Sequence, residues 1–305
     1  MTINLPLLAA AATGVQVGAA IVASRFVVAE VPPLTLALLR YAIGLACLLP
    51  FVLQPFRAFA LQGRAQGAIK SVAIRDLAAM AALGAGQVAV LIALLNYGLQ
   101  QLGAAQAALI FSLLPLLTLL LSAALGRERI TPALLAGVLL SIAGVAVSLA
   151  PKLGGEHAGS WWGELAVLAS ACTGALCSVL YRPYLRRYPT LPVSAFAMLA
   201  SVLLLALLAV AEGWPARVAA LSVPSWAVVT FIGLSSGLGY FLWLYALKHE
   251  APTRVTVFLA LNPVTAALLG ALFLNEALNQ WLSSAIVLIA LGLWLATRLT
   301  PAQPR

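Results

Sequence analysis

The chain has 305 residues, of which 63% are hydrophobic and only 8% charged, and its mean hydropathy is +1.06. A soluble domain carries about 25% charged residues, so this composition excludes a water-soluble globular protein and points to a multi-span membrane protein. The net charge of +9 does not indicate a nucleic-acid binder, because no basic patch interleaved with aromatics occurs and the cations sit in short breaks between apolar runs.

Ten apolar runs follow in order, spanning about 5–28, 34–54, 76–98, 104–124, 131–150, 161–182, 193–211, 224–247, 254–274 and 279–299. Each is near the roughly 20 residues that cross a bilayer core. The first has no basic residues before it and is too long for a signal core, so it is expected to remain as a membrane helix. It carries Gln16 near its centre and the small-residue pair Gly14 and Gly18. The longest connection, about 54 to 75, holds Arg57, Arg64, Lys70 and Arg75 and carries a weak signal for an interfacial amphipathic helix. The third run centres on Gln87, and the fourth has Ser112 just before Pro115. The fifth carries Gly137, Ser141 and Gly144. The sixth opens with Trp161, Trp162 and Glu164, with Thr173 halfway along it. The eighth has Gly233 and Gly237 around Ser235 and Ser236, then Tyr240 and Trp243. The ninth contains Asn262 directly before Pro263. Small residues spaced by four suit close helix contacts in lipid.

The chain repeats itself. Tyr97, Leu99, Pro115, Glu128 and Gly144 return as Tyr245, Leu247, Pro263, Glu276 and Gly292, a constant 148 positions later. An earlier stretch repeats at 160: Thr13-Gly14 with Thr173-Gly174, and Val31-Pro32 with Leu191-Pro192. Two halves of five runs each, 1–150 and 151–305, must enter the membrane from opposite sides because five is odd. The expected fold is therefore all-α and integral to the membrane, with ten transmembrane helices in two five-helix inverted-topology repeats. With the N-terminus in the cytoplasm, thirteen Lys and Arg fall on the inner side. Arg25, Arg40, Lys152 and Arg217 fall on the outer side. This satisfies the positive-inside rule and places both termini in the cytoplasm.

Polar side chains in the middle of apolar helices are costly and therefore informative. Gln16, Gln87, Ser112, Thr173, Ser235, Ser236, Tyr240, Trp243 and Asn262 are the candidate substrate-binding residues. Ser236, Tyr240 and Trp243 are spaced i, i+4, i+7 and share one helix face. Pro115 and Pro263 are equivalent in the repeat; each frees a backbone carbonyl a turn earlier, near Phe111 and Leu259, and is expected to kink its helix. Plain packing is the competing explanation for each of these residues.

All eight acidic residues lie at helix ends or in loops, Glu164 coming closest to the interior. A chamber between the halves is thus expected to be uncharged, and strong proton coupling through a buried carboxylate is disfavoured. No metal or cofactor site is expected: the three cysteines fall inside apolar runs, without metal-ligand spacing, and no phosphate-binding Gly-Lys motif occurs. Gly233-Leu234-Ser235-Ser236-Gly237 matches a hydrolase nucleophile pattern. It lies in an apolar helix, however, and His249 is fourteen residues further on, or about 21 Å at 1.5 Å per residue. No catalytic residue is assigned.

The spacing of Pro115 to Glu128 and Pro263 to Glu276 resembles the repeat signature of EamA-type drug/metabolite transporters. It is carried by Leu113-Leu114-Pro115-Leu116 to Arg127-Glu128-Arg129, and by Ala260-Leu261-Asn262-Pro263-Val264 to Leu274-Asn275-Glu276. The resemblance covers almost the whole chain. It implies a ten-helix carrier working by alternating access, with a cavity lined chiefly by helices 1, 3, 4, 6, 8 and 9. Within that superfamily the chain is similar to bacterial inner-membrane exporters of aromatic amino acids. The resulting expectation is a bacterial inner-membrane exporter of small amphipathic metabolites, aromatic and neutral amino acids first, with facilitative or exchange transport. The expected partners are a small-molecule substrate and the lipid bilayer, with the oligomeric state left open. Multidrug or organic-cation efflux, and a lipid scramblase or membrane scaffold, are the alternatives.

Overall fold

The computed structural model describes residues 4–61, 73–126, 132–150, 161–276 and 279–298. Its long helices are α1 (Leu5–Val27), α2 (Pro33–Leu61), α3 (Ile74–Leu99), α4 (Ala104–Ala124), α5 (Pro132–Ser148), α6 (Trp162–Arg187), α7 (Thr190–Glu212), α8 (Val223–His249), α9 (Pro252–Leu274) and α10 (Gln280–Arg298). Eight of them, α1 to α4 and α6 to α9, are long and apolar enough to cross a membrane, whereas the apolar stretches of α5 and α10 are shorter. A short helix, Trp214–Ala219, joins α7 to α8. No strand occurs among the described residues. The chain is a multi-pass, all-α membrane protein. The 62–72 stretch of the long basic connection, and Glu128 with its neighbours Arg127 and Arg129, lie outside the described residues.

Three helices are not regular. In α3 the segment Ala85–Val90 is π-helical, with the Leu91 N–H reaching back to the Gly86 carbonyl; such a widened turn displaces the side chains it carries. Helix α4 breaks into Ala104–Phe111 and Leu114–Ala124 around a turn at 112–113, and α9 passes through a tight 3₁₀ turn at Val257–Ala260 before Leu261–Leu274. Pro115 and Pro263 each sit in the first turn of the second segment, where a missing N–H costs least. The two broken helices pack against each other.

Helix contacts are close where glycines align. Gly44 of α2 faces Gly237 of α8, and a Cβ on Gly237 would meet the Gly44 Cα at 2.8 Å. Gly14 and Gly18 of α1 lie against the backbone of Phe258 and Asn262 in α9. Helices α5 and α10 pack mainly on one another through Gly144, Gly292 and Ser141, beside the rest of the bundle.

Carboxylates cap helix starts from other elements. At one end of the bundle, Glu276 accepts the N–H groups of Ala104 at 2.8 Å and Ala105 at 3.3 Å. At the same end Glu212 accepts those of Leu34 and Thr35 at 3.0 and 2.7 Å and the Thr35 hydroxyl at 2.8 Å, and Glu30 accepts a proton from Ser225. At the opposite end the Tyr188 hydroxyl donates to Asp76 at 2.8 Å. An anion at a helix start satisfies donors the helix itself cannot pair and sits at the favourable end of its dipole. Among the described residues these acids therefore close the ends of the bundle and none lies in its middle.

Candidate functional site

A partly open cavity lies in the middle of the bundle between α1, α2, α3, α4, α8 and α9. Thr13, Gln16, Val17 and Ile21 line it from α1, and Arg40 and Tyr41 from α2. Gln87, Leu91, Ile92 and Leu95 of α3 form a third wall. Phe111 and Leu114 come from the break in α4, Leu259 from the 3₁₀ turn of α9, and Ser236, Gly239, Tyr240 and Trp243 from α8. Phe111 and Leu259 are 148 positions apart, so both irregular turns present the same repeat position to the cavity. Gly239 leaves room for the Gln16 amide, which would overlap any Cβ there.

Five of the nine predicted site residues meet here: Gln16, Gln87, Ser236, Tyr240 and Trp243. The shared face of α8 faces the cavity as its i, i+4, i+7 spacing requires. Ser235 stands just behind, accepting the Gln16 Nε2 hydrogen at 3.3 Å and donating to the Ile232 carbonyl at 3.1 Å. The structure places the other three outside the lining. The Ser112 hydroxyl donates to the Leu109 carbonyl at 2.6 Å and that of Thr173 to the Ala169 carbonyl at 2.8 Å, so each closes on its own helix. Asn262 is fully buried beside Gly18, in the contact of α1 with α9.

Sequence reasoning missed Arg40, which was counted among outer loop charges. Helix α2 begins at Pro33, so Arg40 is seven residues, about 10 Å, inside it. Its side chain is 3% exposed and lies in the cavity wall. Arg40 Nε donates to Ser236 Oγ at 2.7 Å, and its guanidinium carbon lies 5.6 Å from the centre of the Tyr41 ring. The expectation of an uncharged chamber is corrected: among the described residues it carries one guanidinium, and no acid lines it. The usable signal was position, because an arginine two turns past a helix-starting Pro-Pro is already inside the membrane helix. The helix set implied by the family resemblance differs too, since α2 lines the cavity and α6 does not. Tyr181 of α6 sits behind Tyr240, its hydroxyl donating to the Met80 carbonyl at 3.2 Å.

Four buried polar atoms in the lining have no hydrogen-bond partner: Arg40 Nη1, Gln87 Oε1, Tyr240 Oη and Trp243 Nε1. Native interiors leave few such groups, and each needs a reason. The residues that carry these three donors and one acceptor share the lining with Thr13, Gln16 and Ser236, and the rest of the wall is apolar, the usual make-up of a small-molecule site. Among the described residues no cluster of three or more His, Cys, Asp or Glu is placed to hold a metal ion.

The fold and cavity define a helical membrane protein with a chamber between its helices, and sequence comparison gives its family. The model of the EamA-like transporter family matches residues 4–150 and again 161–298; the chain belongs to that family. An uncharacterized transporter of Archaeoglobus fulgidus is 28% identical over 92% of this chain and 94% of its own. A probable terminal-alkyne amino-acid exporter of Streptantibioticus cattleyicolor is 33% identical over 66% of this chain and 67% of its own. The aromatic amino acid exporter YddG of Ancylobacter novellus is 31% identical over 64% of this chain and 67% of its own.

Proposed function

We propose that this transporter exports small amphipathic metabolites, aromatic and other neutral amino acids first, across a bacterial inner membrane by alternating access. One observation carries the reading: the unpartnered polar atoms of Arg40, Gln87, Tyr240 and Trp243 converge on one cavity at the middle of the bundle. The two relatives named as amino-acid exporters differ in the side chain they are named for and share the amino-acid part, in keeping with a site that reads the polar head and tolerates the tail.

The proposed mechanism uses ten spans in two inverted halves, 1–150 and 151–305, rocking about the shared cavity. Its support is the exchange of helix contacts under the repeat: α1 packs on α8 as α6 packs on α3, and α1 on α9 as α6 on α4. The irregular turns of α4 and α9 at equivalent positions supply the bends, with Pro115 and Pro263 fixing where they fall. Removing Arg40 from the outer loops leaves Arg25, Lys152 and Arg217 there against thirteen inner cations, which strengthens the assignment of both termini to the cytoplasm. With no acid in the cavity wall, the proposed transport is facilitative or by exchange. A proton gradient that accelerated uptake several-fold, with the response abolished by Glu164→Gln, would contradict that part.

Efflux of organic cations fits less well. A cation about 6 Å from the Arg40 guanidinium would be repelled by about 3 kcal/mol at an effective dielectric constant near 20, roughly a hundredfold in affinity. Counterflow in proteoliposomes separates the readings. Preloaded phenylalanine is expected to accelerate entry of labelled phenylalanine several-fold over protein-free vesicles. Transport of cationic dye without amino-acid exchange, or lipid flip alone, would refute the proposal.

A further inference from the structure

The surroundings of Arg40 do not complete it. A guanidinium presents five N–H donors in a planar fork. Ser236 takes the hydrogen of Nε at 2.7 Å, the Tyr41 ring lies beside the carbon, and Nη1 is buried without an acceptor. Among the described residues no aspartate or glutamate lines the cavity to neutralise the charge. A cation buried with neither counter-ion nor a full set of acceptors is strongly disfavoured unless something else supplies them. The open side of Arg40 is the cavity itself, so what supplies them must come from there.

We propose that Arg40 is the clamp for a carboxylate on the transported molecule, whose apolar remainder lies against Phe111, Leu259 and Trp243. A carboxylate matches the guanidinium fork and makes short, charge-assisted bonds with it. The bond from Nε to Ser236 holds the fork in place, leaving its outer edge to the ligand. Gln87 Oε1, an acceptor without a donor, serves an ammonium group where the ligand carries one. In the 160 frame the counterpart of Arg40 is Ala200, so the cavity has one clamp and takes one carboxylate. This inference rests on the cavity being the transport chamber, and it narrows the substrate to monocarboxylates with an apolar tail.

The test is binding to the purified full-length protein, measured calorimetrically with phenylalanine, 3-phenylpropionate, hexanoate and phenethylamine. The carboxylates bind at one per chain, and phenethylamine, which keeps the ring and ammonium and lacks the carboxylate, binds at least tenfold more weakly. Arg40→Gln weakens carboxylate binding on the order of tenfold to a hundredfold, the range for a hydrogen bond to a charged group, and abolishes the preference over phenethylamine. Arg40→Lys keeps the preference with reduced affinity. If Arg40→Gln does not fold, the wild-type ligand series decides alone. Equal binding of phenethylamine and the carboxylates, no binding of any carboxylate, or wild-type affinity in a folded Arg40→Gln protein each overturns the clamp. Binding of 3-phenylpropionate without phenylalanine keeps the clamp and removes the amino-acid reading instead.

Discussion

Two kinds of hydroxyl and amide occur inside these helices, and they differ in what they bond. Thr173, Ser112, Thr118, Ser178 and Ser201 each donate to a carbonyl three or four residues back, which satisfies the group locally and removes it from chemistry. Gln87, Tyr240 and Trp243 have no such recourse, because their polar atoms stand beyond reach of their own backbone. Gln87→Ala and Tyr240→Phe are therefore expected to raise the KM for phenylalanine counterflow about three- to tenfold, the weight of one neutral hydrogen bond, while Thr173→Ala leaves it unchanged. A KM shift for Thr173→Ala equal to the other two would place the site elsewhere. The same distinction bounds what the sequence made legible. It marked Gln16, Gln87, Ser236, Tyr240 and Trp243 as polar groups in apolar surroundings, but not which serines and threonines would bond back to their own helices, since that depends on rotamer. Nor did a count of loop charges separate Arg40, two helical turns inside the membrane helix, from Arg25 at its edge.

Helix contacts in this bundle combine close backbone approach with cross-helix polar bonds such as that from Arg40 to Ser236. The α2–α8 crossing at Gly44 and Gly237 fixes the wall that carries both Arg40 and Ser236. A side chain at either glycine would force the helices apart: with only 2.8 Å between a Gly237 Cβ and Gly44, no rotamer relieves the clash. Gly237→Leu is expected to destabilise the protein by about 2 kcal/mol or more, in the upper range of overpacked cores. Thermal unfolding in detergent should report it, against an unchanged midpoint for Leu203→Ala, a residue of α7 that is 64% exposed. An unchanged midpoint for Gly237→Leu would mean that the two helices are not in contact. Element positions were readable because apolar runs and their breaks are long signals, and the spans agree with the helices to within a few residues over most of the chain. Helix α6 runs on through Pro183 to Arg187, where the charges of Arg182, Arg186 and Arg187 end the apolar run before the helix itself ends. The π-helical turn at Ala85–Val90 left no mark in the sequence: it coincides with the close packing of Gly84 against Ala197 and Gly86 against Cys177, contacts that depend on α6 and α7.

For the whole molecule, the loop carboxylates and the central guanidinium form one electrostatic plan. Acids sit at helix ends, where Glu276 and Glu212 pair backbone donors of other helices, and among the described residues one guanidinium, two helical turns inside α2, lines the cavity. Under the proposed carboxylate clamp the substrate supplies the counter-charge that Arg40 lacks, so loaded and empty states differ in whether that charge is neutralised. The central claim is that the cavity holds substrate and opens to each side in turn. Its most direct test is a Thr13→Cys variant, with Cys47, Cys172 and Cys177 replaced by serine or alanine. It is labelled in oriented vesicles with a membrane-impermeant thiol reagent from either face, with and without phenylalanine. Labelling from both faces, slowed several-fold by phenylalanine, is the predicted result; labelling from one face alone at a rate phenylalanine does not change would contradict it.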